Sequence, residues 1–255
     1  MGKKLGQHFL KNKEILQKIV SAAEIGPQDK VVEIGAGMGD LTELLIKTTK
    51  EVIAIEIDPS LFKILEERFV HRENLKLVNQ DVFNFPFEEI GTFKVVANIP
   101  YYITKPIIFR LIEVKNLISM TLTIQKEVAQ RLVAKSNSKA YSALSIIAQY
   151  YTTAEIKFYI PPKFFTPPPK VESAVIKIDR RKAPAVELED ERLFFKIIKS
   201  AFGQRRKIIS NSLKSIINQP KEILLKIGID PMKRAEEFTI EDFAYITNEL
   251  CKYCK

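Results

Sequence analysis

The stretch Val31-Val32-Glu33-Ile34-Gly35-Ala36-Gly37-Met38-Gly39-Asp40-Leu41-Thr42 decides how the rest of the chain reads. Two β-branched residues, an acid and Ile34 run straight into three glycines at alternate positions, after which Leu41, Leu44 and Leu45 fall at helical spacing. The pattern is strand, tight glycine turn, helix. Glycine admits a backbone with positive φ and lets a ligand come close to the chain, while the helix that follows offers unpaired N–H groups. A nucleotide-like cofactor is therefore expected against Gly35 and Gly37. Val52-Ile53-Ala54-Ile55-Glu56-Ile57 supplies a second strand, with Glu56 falling about 20 residues after the first glycine, where a carboxylate meets ribose hydroxyls. Pro59 then suits the first position of a new helix.

That unit alone suits a dinucleotide or S-adenosylmethionine (SAM), since both carry a ribose. The spacing is G-x-G-x-G, and a dinucleotide site more often shows G-x-G-x-x-G. The difference is small, and the fourth strand has to decide.

The bulk properties set limits around this unit. A chain of 255 residues, 46% hydrophobic and 28% charged, accommodates one large α/β domain with a sizeable core and a small second domain. No apolar run approaches the length of a membrane span, and the basic stretch Met1 to Leu10 lacks the apolar core of a signal peptide. The expectation is a cytoplasmic protein, without a membrane partner and monomeric. Forty Lys and Arg against 31 Asp and Glu leave a net charge of +9, which points to a polyanionic partner. The excess is concentrated: Lys196, Lys199, Arg205, Arg206, Lys207 and Lys214 occur within one segment that holds no acid, so nucleic-acid contact is expected there. Cys251 and Cys254 form half of a metal site at most, with no second pair and no neighbouring histidine, so no metal is expected.

Along the chain, a short helix within 11–25 precedes the first strand. Helices and strands then alternate, with strands near Leu75 to Val78, Phe93 to Ala97 and Ile118 to Ile124, the signature of a mostly parallel sheet covered on both faces. Helices follow over Lys126 to Ala134 and near Ser142 to Tyr151. Thr153 to Tyr159 and Val171 to Ile178 read as strands joined by a proline-rich segment too short for a crossover helix, hence an antiparallel hairpin at the sheet edge. A charged linker with Pro184 leads to four helices, at Leu193 to Phe202, Ile208 to Ile217, Glu222 to Ile227 and Ile240 to Leu250. The domains are read as 1–180, a Rossmann-like α/β catalytic domain, and 190–255, a small helical RNA-binding domain.

The chemistry is expected at the carboxyl edge of the sheet. Asp81-Val82 follows the third strand, where the acid is suited to accept from an adenine amine. Asn98-Ile99-Pro100-Tyr101 ends the fourth. An exocyclic N6 amine is a poor nucleophile because its lone pair is delocalised into the purine. If the Asn98 oxygen and a backbone carbonyl near Pro100 each accept one N–H, the lone pair is freed towards the methyl of SAM without a strong base, by orientation and electrostatics. Tyr101 offers a ring on which the base can stack.

With these residues, the chain resembles the ribosomal RNA adenine N6,N6-dimethyltransferase family. The resemblance rests on Gly6-Gln7-His8-Phe9-Leu10, Val32 to Gly39, Asn98 to Tyr101, Pro161 to Val175 and Ala201 to Lys207, and covers nearly the whole chain. It implies that Gln7, His8, the Leu10 backbone, Gly35, Glu56, Asp81 and Asn98 surround SAM. It also implies that Phe165 is a second stacking ring opposite Tyr101. At His8 the family more often carries asparagine. Ile229 to Thr239 resembles the group that dimethylates two adjacent adenosines near the 3′ end of small-subunit (16S) rRNA, which implies a pre-30S ribosomal particle as partner. Competing readings are the branch that methylates one adenine of large-subunit rRNA, and a SAM-fold protein that has become an RNA-binding assembly factor.

Overall fold

The computed structural model describes residues 8–204 and 206–253, with Tyr253 described by its backbone alone; Gln7, Arg205 and Cys254 lie outside them. The chain forms two compact units, Met1–Ala129 with Thr153–Arg180, and Gln130–Thr152 with Arg181–Lys255. In chain order the first elements are β1 (Phe9–Leu10), α1 (Lys13–Ala22), β2 (Lys30–Ile34), α2 (Asp40–Thr48), β3 (Glu51–Glu56) and α3 (Pro59–Arg68). β4 (Leu75–Asn79), β5 (Phe93–Asn98), α4 (Thr104–Ile112), β6 (Leu117–Gln125) and α5 (Lys126–Leu132) follow. Then come α6 (Ala143–Tyr151), β7 (Thr152–Ile160), β8 (Phe165–Thr166) and β9 (Ser173–Arg180). The remainder is helical: α7 (Glu191–Gly203), α8 (Ile209–Ser212), α9 (Pro220–Lys226) and α10 (Ile240–Tyr253).

In the first unit a seven-stranded sheet runs in the order β4-β3-β2-β5-β6-β9-β7. β4 to β6 are parallel neighbours, and β9 is antiparallel to β6. The central strands are apolar on both faces because helices cover both: Val31, Val52, Ala54 and Val96 are fully buried. The strand order reverses between β2 and β5, which opens a crevice beyond their carboxyl ends, next to Gly35 and Asn98. Helix ends follow local chemistry. Asn12 caps α1 by accepting from the Ile15 N–H at 3.0 Å, and Asp58 caps α3 with Pro59 in the first position.

Gly39 begins α2 with φ of 85°, and a Cβ built on it would lie 2.6 Å from Phe69 Cε2 and 2.9 Å from Leu65 Cδ2. The last glycine of the motif is therefore a packing requirement of α3 against the turn. Beneath the turn, Glu33 is 1% exposed and accepts from Thr42 Oγ1 at 2.5 Å, which ties β2 to α2. Burial pushes the Glu33 carboxyl up to about 8; the Thr42 bond opposes the shift and the charges of Glu56 and Asp40 add to it.

Three features differ from the sequence reading. Phe9–Leu10 pairs antiparallel with Phe165–Thr166, a ladder that joins the N-terminal region to the proline-rich segment; strands of two residues are too short to show a period. The expected helix over 208–217 is interrupted, with α8 giving way to a 3₁₀ turn at Leu213–Ser215. Serine hydroxyls there compete for backbone groups: Ser200 Oγ donates to the Ser212 carbonyl at 2.6 Å and Ser210 Oγ to that of Pro231 at 2.9 Å. Finally, 130–152 belongs to the second unit, whereas the sequence reading placed it within 1–180. Tyr150 of α6 lies 5.4 Å from Phe194 and 5.5 Å from Phe195 of α7, aromatic contacts that draw this segment to the helices.

Two consequences are measurable. Gly39→Ala should cost about 1–3 kcal/mol, since it adds a left-handed non-glycine residue and a clash with a ring. An unchanged urea midpoint would show that Phe69 yields freely. For Glu33, the unfolded chain releases a proton near pH 4.5 that the folded chain keeps to about pH 8. Stability should therefore fall as pH rises through that window and level off above it. Glu33→Gln should shrink the difference in urea midpoint between pH 5 and pH 8; an undiminished difference would mean that Glu33 is already charged in the fold.

Candidate cofactor and base-binding site

A cavity of about 330 Å³ opens at the strand-order reversal, within the range of small-molecule sites. The first unit supplies all of its walls. His8, Leu10, Gly35, Gly37, Glu56, Asp81, Val82, Asn98, Pro100, Tyr101 and Phe165, all expected from sequence, line it together.

Glu56 ends β3 and is 2% exposed. Its Oε2 accepts from the Gly37 N–H at 2.8 Å and its Oε1 from the Asp58 N–H at 2.9 Å, so both oxygens are fixed and each keeps one lone pair. Gly35 and Gly37 have φ of 73° and 58°. A Cβ at Gly37 would meet Phe9 Cε1 at 3.2 Å, so the turn also leaves room for the N-terminal strand. Asp81 accepts from the Phe83 N–H at 3.0 Å and starts the 3₁₀ turn Val82–Asn84.

Asn98 ends β5, and its Nδ2 donates to the His8 carbonyl at 3.0 Å, which leaves Oδ1 as its acceptor. The Pro100 carbonyl already accepts from the Ile103 N–H at 3.1 Å and from Thr104 Oγ1 at 3.4 Å. The backbone acceptor with no partner among the described residues is that of Ile99, which refines the expectation of a carbonyl near Pro100. Tyr101 Oη lies 2.8 Å from Ser173 Oγ, and burial pushes its phenol above the ordinary value against the opposing effect of that bond, so it stays protonated. His8 packs its ring 5.4 Å from that of Tyr101 and bonds through Nδ1 to the Pro167 carbonyl at 2.7 Å. It thus buttresses Tyr101 as well as lining the cavity. Phe165 is 3% exposed and belongs both to the cavity wall and to the core cluster with Leu10 and Leu16.

Sequence reasoning missed four residues in particular. Glu33 and Asp40 also line the cavity; the signal for Glu33 was an acid between the apolar residues Val31, Val32 and Ile34 of one strand. Gln80 lines it too, with a buried Nε2 that has no hydrogen-bond partner among the described residues. Tyr102, 59% exposed, stands at its rim.

These walls suit SAM better than a dinucleotide. Asp40, Glu56 and Asp81 face the cavity, Glu33 does so with its proton retained by burial, and among the described residues no lysine or arginine lines it, which disfavours a pyrophosphate and favours a net cation. The unpartnered Gln80 amide and the free lone pairs of Glu56 offer one donor and two acceptors to such a molecule.

In the second unit, Lys196 and Lys199 lie on the exposed face of α7, opposite the buried Phe194, Ile197 and Ile198. Arg206, Lys207 and Lys214 are exposed as well, and none of these five forms an ion pair among the described residues. No helix among the described residues is long and apolar enough to cross a membrane.

A family model described as ribosomal RNA adenine dimethylase matches residues 1–252. The chain is 43% identical to the ribosomal RNA small subunit methyltransferase A of Caldanaerobacter subterraneus subsp. tengcongensis, over 97% of this chain and 96% of that protein. It is 44% identical to the protein of that name from Bacillus cytotoxicus, over 97% and 90%. Among solved structures, a dimethyladenosine transferase from Plasmodium falciparum matches with a TM-score of 0.82 and 28% identity, over 96% of this chain and 98% of that one. The 23S rRNA methyltransferase ErmE matches with a TM-score of 0.75 and 25% identity, over 95% and 99%. An acidic, glycine-floored cavity with Asn98 at its lip is thus found in a chain that belongs to the ribosomal RNA adenine dimethylase family, and its methyl donor is SAM.

Proposed function

We propose that this protein dimethylates N6 of two adjacent adenosines near the 3′ end of small-subunit rRNA. It acts in the cytoplasm as a monomer on the pre-30S particle during small-subunit assembly. The observation that carries the reading is the Asn98 turn: an amide oriented by the His8 carbonyl, beside an unpartnered Ile99 carbonyl and the anchored ring of Tyr101. The small-subunit assignment is supported by relatives of that name at 43% and 44% identity over nearly the whole chain. Among solved structures, the dimethyladenosine transferase is also somewhat more similar than the large-subunit enzyme, at 28% against 25% identity.

In this reading Glu56 accepts the ribose hydroxyls, while Asp81 and the Val82 backbone hold the adenine of the cofactor. Asp40 faces its cationic end, with His8 and Leu10 closing the wall. SAM supplies a methyl group on a sulfonium, already activated for transfer. The chain's task is to present the lone pair of the amine. Asn98 Oδ1 and the Ile99 carbonyl accept its two N–H bonds and draw the nitrogen out of conjugation, with Tyr101 and Phe165 holding the purine plane. Lys196, Lys199, Arg206, Lys207 and Lys214 bind phosphates, and Gln7 and Arg205 join the two sets.

Asn98→Ala should slow single-turnover methylation of a small-subunit substrate about 10²–10³-fold while SAM affinity holds. A rate within about threefold of wild type, far less than that principle expects, would defeat the Asn98 mechanism. Incubating the wild-type protein separately with small and large subunits and mapping the methylated nucleotides tests the choice of substrate. Methylation of large-subunit rRNA alone would overturn it.

The combined substitution of Arg206, Lys207 and Lys214 by alanine should lower the slope of log affinity for RNA against log salt by roughly two to three, at about 0.7–0.9 per lost phosphate contact. SAM affinity should be unaffected. A fall in SAM binding with an unaltered salt slope would remove these residues from the RNA surface.

A further inference from the structure

The basic cluster of the second unit is not the whole cationic and aromatic surface of this protein. Beside the candidate site, on the catalytic unit itself, a second surface can be traced bond by bond from Tyr101. Its hydroxyl meets Ser173 Oγ at 2.8 Å, and Ser173 pairs with Gln125 where β6 and β9 meet. One residue further out, the Lys126 N–H donates to the Glu172 carbonyl at 3.0 Å. Lys126 Nζ bonds the Glu172 carboxylate at 2.6 Å and lies over the ring of Tyr159, 5.0 Å from its centroid. Tyr159 is 44% exposed near the end of the edge strand β7, and Val171 is 46% exposed. The Tyr159 hydroxyl has no hydrogen bond among the described residues. Lys163 and Lys170, in the segment that joins β7 to β9, add charge of the same sign.

We infer that Tyr159 and Lys126 form an RNA docking point on the catalytic unit, the ring stacking an unpaired base that flanks the target adenosine and the ammonium taking the adjoining phosphate. The inference rests on the function proposed above and assigns it a further contact. An exposed aromatic face next to a lysine is the combination that binds single-stranded nucleic acid without reading sequence. Extrusion of the target base leaves a neighbouring base unstacked and in need of such a face. Lys126 is able to exchange partners, because its side chain and that of Glu172 are 39% and 43% exposed and solvent screens the pair. A purely structural clamp between Lys126 and Glu172 would give Tyr159 no part in RNA binding.

The test measures affinity for a small-subunit RNA fragment without SAM, and methylation with SAM, for the full chain. Tyr159→Ala should weaken RNA binding and lower kcat/KM about tenfold, the range of one lost stacking contact, with SAM affinity unchanged. Tyr159→Leu, which keeps apolar bulk without an aromatic face, should do the same if the alanine variant folds poorly. Tyr159→Phe should stay near wild type, and Lys126→Gln should flatten the salt dependence by about one phosphate contact. Wild-type RNA affinity in a folded Tyr159→Ala or Tyr159→Leu variant overturns the inference, as does a loss of SAM affinity alongside that of RNA. If the wild-type protein fails to methylate small-subunit RNA, the proposed function falls, while the RNA affinities still decide the role of Tyr159.

Discussion

The hydrogen bond from Asn98 Nδ2 to the His8 carbonyl is the constraint on which the rest of the site depends. It joins the end of a central strand to the N-terminal region and settles which end of the amide faces the cavity. An amide that rotated freely would offer a donor as often as an acceptor, and the site would lose its preference for an amine. His8 is held in turn by the Pro167 carbonyl and the ring of Tyr101, and β1 by its pairing with β8. Three segments far apart in sequence thus fix one oxygen atom. This is preorganisation in a concrete form, because the orientation is set by the fold before any substrate arrives.

Charge is divided in a way that composition conceals. The chain carries +9, yet among the described residues the cavity wall holds four carboxyl groups and no lysine or arginine. Glu33 shows what burial in such a wall costs: taken out of water, with the charges of Glu56 and Asp40 adding to the effect, it keeps its proton well above the ordinary carboxyl range. A cationic ligand would relieve that crowding and a polyanion would worsen it. The exposed lysines and arginines of the second unit suit phosphates instead. Under the proposed function, a cation and a polyanion would thus be met by different sets of residues.

Most of the sheet was legible because parallel strands buried on both faces write themselves as continuous apolar runs, as Val52 to Ile55 does. The glycine turn, Glu56 and Asn98 were legible because few residue types serve at those positions. What escaped was non-local or too short. The β1–β8 ladder has two residues on each side and spans most of the chain, so no window of sequence contains it. The break after α8 depends on Ser200 and Pro231, both outside that segment. The choice between the Ile99 and Pro100 carbonyls turned on a hydrogen bond to Thr104 that spacing cannot show. Residues 130–152 followed aromatic partners on α7, which lie some forty positions further along the chain.

The order of strands at the sheet edge also bears on how the chain is made. β9 sits between β6 and β7, although β7 precedes it in sequence. During synthesis, Thr152–Ile160 therefore leaves the ribosome with no strand to pair with until Ser173–Arg180 has followed it and docked on β6. Through that interval β7 is an unpaired edge, the kind of surface that seeks a partner on another chain. Its sequence is guarded: Glu155 and Lys157 alternate with its apolar residues, and in the finished fold Lys157 pairs with Glu155 and Glu24. β7 remains the outermost strand of the completed sheet, so the same charges that suit its exposed edge during synthesis also guard it afterwards.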